Sequence, residues 1–208
     1  MAGQAAEYGM DDFGLAQGVI QPFASTLGLL LVLFMPILTM RVLAEEQRGG
    51  TMALLLSSPV SSWEVVVGKW LGLLAFFACL LGLGLAYVPA TLYLLGEPPT
   101  ATLLTAAGGV FLLAALGSAV GVMASSLSGS QTAAAVVSWA LLLGAWILSF
   151  LEQGEGPLKI VGKLLGLLHH FDSFPQGLVR SNDLLWFGVL SALALFVAQQ
   201  RVEAHRWR

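Results

Sequence analysis

Five long apolar segments alternate with shorter polar ones along this 208-residue chain. Each is long enough, or nearly so, for a helix that crosses a bilayer, which needs about 20 apolar residues. Away from their ends, the segments contain no Asp, Glu, Lys, Arg or His. The predicted transmembrane helices cover residues 18–40, 64–95, 102–126, 131–151 and 183–200. The pattern therefore predicts an all-α fold, a polytopic bundle of membrane helices.

The polar loop at residues 41–63 separates the first two apolar segments. Residues 41–48 can continue the first helix into this loop. Gly49 and Gly50 are expected to end that helix, because glycine readily adopts the left-handed conformation found after helix C-termini.

The second half of this loop contains residues that typically begin and end a short helix, followed by residues that typically begin a new one. Thr51 can cap a helix over residues 52–57, which has to end before Pro59. Ser61 and Glu64 have the spacing of a capping box, in which the two residues satisfy each other's backbone N–H groups. The loop is thus predicted to hold a short helix between two membrane helices.

The polar segment at residues 152–182 separates the last two predicted membrane helices. Within it, residues 157–168 are amphipathic, since Lys159 and Lys163 lie four apart on one helix face and apolar residues occupy the rest. Such a pattern is typical of a helix that lies at the membrane interface. We therefore expect a re-entrant or interfacial helix here.

The distribution of Lys and Arg predicts an orientation, because these residues are more frequent in cytoplasmic loops. Arg41, Arg48 and Lys69 lie in and just after the 41–63 loop, and the C-terminal tail contains Arg201, Arg206 and Arg208, whereas the tail at residues 1–17 has no Lys or Arg. Five crossings place the loop and the C-terminus in the cytoplasm, and the N-terminus of this chain and residues 152–182 outside. Basic residues in the 152–182 segment weaken this bias without reversing it.

Composition narrows the class of protein. The chain is 57% hydrophobic and 10% charged, whereas a soluble domain has about 25% charged residues. The net charge of −3 and the absence of a basic run give no indication of nucleic-acid binding. Cys79 is the only cysteine, which excludes a disulfide within the chain.

The sequence also lacks the usual sources of energy for transport. Gly68-Lys69 and Gly162-Lys163 are not followed by the Ser or Thr of a phosphate-binding loop. The membrane segments offer no internal relay of ionisable residues for ion coupling. If the chain moves a substrate, the energy has to come from another chain.

The residues His169, His170 and Asp172 are the candidates for a metal site. Adjacent histidines diverge on a regular backbone and no further ligand has a suitable spacing, so a metal site is disfavoured. We expect instead that His170, Phe171 and Phe174 hold the 152–182 segment against its neighbours.

Two glycines in the third apolar segment, Gly117 and Gly121, have a spacing that lets helices approach closely. The spacing fits packing within one chain and also a contact between two chains. Packing within the chain is the favoured interpretation for so glycine-rich a sequence.

The loop resembles the cytoplasmic loop of ABC-2 family permeases, in particular the gliding-motility and nitrous-oxide-reductase-maturation permeases. It reads EEQRGGTMALLLSSPVS from residue 45, with Gln47 in place of a usual basic residue and Ala53 in place of a usual acidic one. The residues that match are Glu45, Glu46, Gly50, Thr51, Leu54, Leu55, Pro59, Val60, Ser61 and Lys69. A second match to the family pattern is formed by His170, Phe171, Phe174, Gly177, Val179 and Asp183.

The resemblance implies the transmembrane subunit of an ATP-driven exporter in the bacterial plasma (inner) membrane. It implies as partners an ABC ATPase subunit, a second permease subunit in a homodimer or heterodimer, and the lipid bilayer. ATP and Mg²⁺ would bind to the ATPase, and no cofactor, metal or catalytic residue is expected on this chain. The implied ATPase-coupling residues are Glu45, Glu46, Arg48, Gly50, Thr51, Leu54, Leu55 and Pro59. The implied residues of the outer re-entrant segment are His170, Phe171, Phe174, Gly177 and Asp183.

The number of helices departs from the family, whose permeases usually have six, the first preceded by a basic cytoplasmic segment. By this count the chain lacks the first helix. Either the start codon has been placed downstream of the true one, or the chain is a five-helix variant that relies on a partner.

Two classes of function fit the sequence. One is the exporter permease, and the other is a non-transporting membrane scaffold or assembly factor that docks a cytoplasmic partner on the same loop. A membrane enzyme is less favoured, because no convincing acid, base or nucleophile is present. An ATPase gene beside this one would favour the exporter, and the uncharged interior leaves the substrate open.

Overall fold

The computed structural model describes residues 16–50, 60–92, 100–153 and 156–206. Over these ranges the regular structure is helical. The α helices are α1 (Gln21–Thr39), α2 (Ala44–Arg48), α3 (Ser62–Leu92), α4 (Thr100–Leu127), α5 (Gln131–Leu148), α6 (Leu158–Leu165), α7 (Leu167–Phe171) and α8 (Ser181–Arg206). A π-helical turn at Ala16–Ile20 precedes α1, and a 3₁₀ helix at Ser149–Gln153 follows α5.

Five of the described helices, α1, α3, α4, α5 and α8, are long and apolar enough to cross a membrane. The predicted bundle of five membrane helices is therefore confirmed. Its last helix runs to Arg206, six residues beyond the predicted end at residue 200. Helical hydrogen bonding does not require apolar side chains, so a helix can continue past the apolar segment that marks it in the sequence.

The bundle is built around α4, which packs against each of α1, α3, α5 and α8. Within the membrane-spanning part of α4, 56% of the residues are buried, against 17% in α3. A helix that has neighbours on every side has to be apolar or small all round. The composition of α4 meets this requirement, because its buried residues are mostly Ala, Gly, Ser, Val and Leu.

The contact between α4 and α1 uses the two spaced glycines. A Cβ atom added at Gly121 would lie 2.0 Å from Oγ1 of Thr39, and one at Gly117 would lie 3.1 Å from Cγ of Met35. The Thr39 hydroxyl donates to the Met35 carbonyl of its own helix at 2.8 Å, so it needs no partner on α4. The expected packing of these glycines within one chain is confirmed.

The polar segments lie at two opposite ends of the bundle, which we name the α2 end and the α6 end. At the α2 end, Ser125 of α4 hydrogen-bonds to Met40 after α1, and Ser62 of α3 donates to Glu203 of α8. At the α6 end, His170 contacts Asp183 at the start of α8. The loop between α1 and α3 therefore begins and ends at the same end of the bundle as the last turns of α8. Five membrane crossings predict this arrangement.

The first helix does not continue through residues 41–48, which corrects the prediction. In a continuous helix the N–H groups of Leu43 and Ala44 would donate to the carbonyls four residues earlier. Both donate instead to Oγ of Ser125, each at 2.9 Å. The same hydroxyl donates to the Met40 carbonyl at 3.1 Å. A side chain from α4 thus replaces two backbone hydrogen bonds of the helix, and α2 is separated from α1.

The amphipathic segment is also divided, where the sequence predicts one helix over residues 157–168. Gly166 has an extended backbone between α6 and α7. A Cβ atom at Gly166 would lie 2.9 Å from Cα of Ser149, so the two backbones are in direct contact. The Ser149 hydroxyl accepts the N–H of Leu168 at 2.8 Å. Packing against the 3₁₀ helix therefore ends α6 at this point.

Candidate functional site

The helix α2 is attached to the bundle by side chains that reach it from three other helices. Ser125 of α4 accepts the two N–H groups at its N-terminus. Gln131 at the start of α5 donates from Nε2 to Oε1 of Glu45 at 2.9 Å. Lys69 of α3 pairs with Glu46. We name Lys69, Ser125 and Gln131 the α2 anchors.

Lys69 is a charged residue near the start of α3, which is almost entirely apolar beyond it. Its ammonium group donates to the Val42 carbonyl at 2.7 Å and to Oε1 of Glu46 at 2.6 Å. About a quarter of each charged side chain remains exposed. The Gly68-Lys69 pair does not fit a phosphate-binding loop. In the structure its lysine joins α3 to α2.

Four of the eight residues predicted for ATPase coupling are described, and they divide into two groups. Glu45 and Glu46 face other helices, since Glu45 accepts from Gln131 and Glu46 from Lys69. Arg48 and Gly50 are exposed. The acidic pair therefore attaches α2 to the bundle, although Glu45 is itself exposed, and Arg48 and Gly50 make no such attachment within the described residues.

Gly50 has a φ of 69°, a left-handed conformation that favours glycine. It follows the end of α2, where the N–H of Gly49 donates to the Glu45 carbonyl at 2.8 Å. The other four predicted coupling residues, Thr51, Leu54, Leu55 and Pro59, lie outside the described residues. The short helix over residues 52–57 therefore stays a prediction.

The capping box on the far side of this segment is present. The N–H of Ser61 donates to Oε2 of Glu64 at 2.8 Å, and the N–H of Glu64 donates to Oγ of Ser61 at 3.3 Å. This reciprocal pair fixes where α3 begins. The segment between Gly50 and Val60 is consequently bounded by two well-defined helix ends.

At the α6 end, a buried polar cluster surrounds Asp183 in the first turn of α8. Nδ1 of His170 lies 2.8 Å from Oδ1 of Asp183, and Ser173 donates to Oδ2 at 2.6 Å. The His170 ring stacks on Trp186 with 4.4 Å between ring centroids. Trp186 in turn donates to the Leu164 carbonyl of α6 at 2.7 Å. The cluster therefore joins α6 and α7 to α8.

Two buried aromatic rings complete this attachment. Phe171 packs on Gly28 of α1, where an added Cβ would lie 3.1 Å from the ring, and Phe174 packs on Gly109 of α4. Gly177 has a φ of 81° in the turn that follows. The predicted residues His170, Phe171, Phe174, Gly177 and Asp183 are thus brought together around one turn.

Sequence reasoning missed Ser173 and Trp186 in this cluster. Both had a local signal, because Ser173 follows His170 by three residues and Trp186 follows Asp183 by three on a helix. Residues three apart on a helix share a face. A search for polar and aromatic residues at these offsets from the motif would have found them.

A cavity of about 260 Å³ lies beside the cluster at the α6 end. Nδ1 of His169 lies 2.8 Å from Oε2 of Glu152 on its wall. The pKa of Asp172 in the same cavity is raised by burial, an effect partly offset by the nearby His169. His169 and His170 therefore contact different carboxylates, and the described residues contain no group of three His, Cys, Asp or Glu placed to hold a metal. The lining residues are Ser149, Phe150, Glu152, Leu168, His169, Asp172, Ser173, Gln176 and Arg180.

Comparison with known proteins shows which protein family the chain belongs to. The chain matches the family described as ABC-2 family transporter protein over residues 5–154, which are 150 of its 208 residues. The match includes α1 to α5 with the α2 anchors and ends before α6. No curated protein and no solved structure matches the chain. The chain therefore belongs to the ABC-2 family, whose members form the membrane subunits of ABC transporters.

Proposed function

We propose that the chain is the permease subunit of an ATP-driven exporter in the bacterial plasma membrane. A separate ATPase subunit would bind ATP and Mg²⁺ and act on the segment between α2 and α3. The observation that supports this proposal is the attachment of α2 to three other helices through its anchors Lys69, Ser125 and Gln131.

These attachments give the loop a mechanical connection to the membrane helices. A displacement of residues 51–59 would act directly on α2 and on the start of α3. Because Ser125 belongs to α4, and α4 packs against all four other spanning helices, the displacement would reach the whole bundle. Packed helices tend to shift between discrete arrangements and not to deform continuously, which suits alternating access.

The coupling test compares two kinds of variant at this segment. The double variant Leu54→Ala with Leu55→Ala should weaken ATPase binding strongly, because truncation of a buried leucine costs about 2–5 kcal/mol. Arg48→Gln should have a small effect, because an exposed ion pair is worth about 0–1 kcal/mol. Co-purification measures assembly, and ATPase stimulation in the same membranes measures coupling.

Two further variants separate docking from transmission. Pro59→Gly should leave the ATPase bound while stimulation falls, since a freer backbone lets the segment swing. Glu45→Gln preserves an oxygen that can accept from Gln131 and should retain both assembly and stimulation. If the double leucine variant assembles and stimulates ATPase like the parent, the segment is not the coupling element. If the parent binds an ATPase that it never stimulates, the scaffold function is favoured.

The proposed orientation has the α2 end and the C-terminus in the cytoplasm. In a Cys79→Ser background, Thr51→Cys should resist an impermeant thiol reagent in whole cells, whereas Pro98→Cys should react. The reverse labelling pattern would overturn this orientation. Both positions lie outside the described residues.

The transporter is further proposed to contain two membrane subunits, as a homodimer or with a six-helix relative. Four spanning helices packed around α4 leave little room for a pathway within one chain. Native mass spectrometry of the active complex should give two membrane subunits and two ATPase subunits. An active complex with one copy of this chain would contradict this stoichiometry.

A further inference from the structure

The cavity at the α6 end is lined by charged groups that the protein itself does not fully pair. Glu152 and His169 contact each other at 2.8 Å. Within the described parts of the chain, the side chains of Asp172, Gln176 and Arg180 make no hydrogen bond or ion pair. Gln176 and Arg180 are exposed and Asp172 is partly buried, so all three side chains are accessible to a ligand in the cavity.

Asp172 favours a cationic ligand. Its carboxylate is half-buried, and burial raises its pKa because the charged form has lost water. The neighbouring His169 offsets this effect only partly, and its Nδ1 is engaged by Glu152. An ammonium group bound in the cavity would provide the counter-ion and the N–H donors that Asp172 lacks.

Arg180 favours an anionic group on the same ligand. It is exposed, it lines the same cavity, and it immediately precedes α8. A guanidinium group has a planar set of donors that matches a phosphate in a bidentate manner. A ligand that carries an ammonium close to a phosphate would therefore satisfy both free charges.

The surroundings of the cavity favour a lipid as the carrier of these groups. Phe150 lines the cavity and is 54% exposed. Ile160 and Leu164 of α6 are also more than half exposed, and Lys159 and Lys163 share that helix. Exposed apolar side chains beside basic ones at the end of spanning helices are typical of a membrane interface.

We propose that this cavity binds the head group of a phospholipid with a primary ammonium, such as phosphatidylethanolamine. The ammonium would contact Asp172, the phosphate would contact Arg180, and an acyl chain would lie along Phe150 and α6. A volume of about 260 Å³ is below that of pockets for drug-sized ligands, which suits a small head group. The proposal does not require ATP-driven export, because binding can be measured without the ATPase.

The test measures lipid retention by native mass spectrometry on the detergent-purified chain, after exchange into mixed micelles with one lipid at a time. Phosphatidylethanolamine should be retained at least about fivefold better than phosphatidylglycerol, a difference of about 1 kcal/mol. Asp172→Asn should abolish this preference, and Arg180→Gln should weaken the retention of both lipids. Arg48→Gln, which changes an exposed charge at the opposite, α2 end of the bundle, is the control and should retain the preference.

One measurement separates a loss of lipid binding from a loss of folding. A second distinguishes the lipid from a soluble compound that carries the same head group. Asp172→Asn should melt no lower than the parent in lipid-free detergent, so that its loss of preference reflects binding. Soluble glycerophosphoethanolamine should compete only weakly, because it has no acyl chains. Equal retention of the two lipids by the parent, or an unchanged preference in Asp172→Asn, would overturn the proposal. Competition by the soluble compound as strong as that by the lipid would overturn the assignment to a lipid.

Discussion

The ammonium nitrogen of Lys69 lies 2.6 Å from Oε1 of Glu46, although 23 residues separate the two in the sequence. The same nitrogen lies 2.7 Å from the Val42 carbonyl oxygen. One side chain of α3 therefore contacts both the turn before α2 and α2 itself. This relationship makes α2 a part of the bundle.

Removal of the Lys69 ammonium should destabilise the chain modestly. Lys69→Met keeps the aliphatic length but leaves the Val42 carbonyl and Glu46 without this donor, and we expect a loss of about 1 kcal/mol because the pair is partly exposed. Thermal unfolding in a fixed detergent measures the effect. Arg48→Gln, in the exposed last turn of α2, is the control and should unfold with the parent. Identical unfolding of Lys69→Met and the parent would show that this link carries no stability.

Ser125→Ala should have a larger effect than its size suggests. The hydroxyl accepts from two buried N–H groups, and an unsatisfied buried donor costs about 1–3 kcal/mol, so we expect a loss of about 2 kcal/mol or more. Ser118→Ala is the matched control, because among the described residues the buried Ser118 hydroxyl bonds only to the Ala115 carbonyl of its own helix. The control should lose less than about 1 kcal/mol. Equal losses in the two variants would mean that the break between α1 and α2 does not depend on Ser125.

The features that could be predicted from the sequence are those with local causes. The capping box of Ser61 and Glu64 depends on residues three apart, and both its hydrogen bonds are present. The five apolar segments follow from the thickness of a bilayer, which acts on each segment separately. Gly117 and Gly121 could be assigned to a close helix contact from their spacing alone, although the partner helix could not be named.

The features that could not be predicted depend on residues far apart in the chain. Ser125 lies 82 residues from Leu43, and nothing near Leu43 indicates that its N–H will leave the helix. Gln47 reads as the loss of a usual basic residue, yet its side chain donates to the Ser126 carbonyl at 3.0 Å. Gly166 ends α6 because the backbone at Ser149 occupies the space beside it. Each of these outcomes required the packing of α4 or α5 to be known first.

A methyl group at Gly109 should destabilise the α6 end. The added Cβ would lie 2.4 Å from Cβ of Phe174, and overpacking of this kind typically costs about 1–3 kcal/mol. Gly108→Ala is the matched control on the same helix, since an added Cβ there meets no atom within 4 Å. The control should be neutral or slightly stabilising. If both variants unfold together, Phe174 can move away from α4 at little cost.

Asp172 should make stability depend on pH in a defined direction. Its pKa is raised above the ordinary value of 3.8, so the unfolded chain releases this proton at a lower pH than the folded chain does. Stability from this group is therefore present at low pH and is lost as the pH rises through the folded pKa. The thermal unfolding temperatures of Asp172→Asn and the parent should agree at acid pH, where the carboxyl group of the parent is protonated. They should diverge towards pH 7, with the variant more stable. A variant that is less stable at neutral pH would show that the carboxylate has a favourable partner.

The close contact between Gly121 and Thr39 has a consequence for the evolution of the family. A side chain at position 121 can be accommodated only if position 39 gives up volume, because an added Cβ would lie 2.0 Å from Oγ1 of Thr39 and 2.4 Å from its Cβ. Relatives with alanine or serine at the position of Gly121 should therefore carry glycine at the position of Thr39, because alanine there would keep the Cβ atom that clashes. The two positions should vary as a pair among homologues, while Gly108, which faces open space, should vary independently of α1.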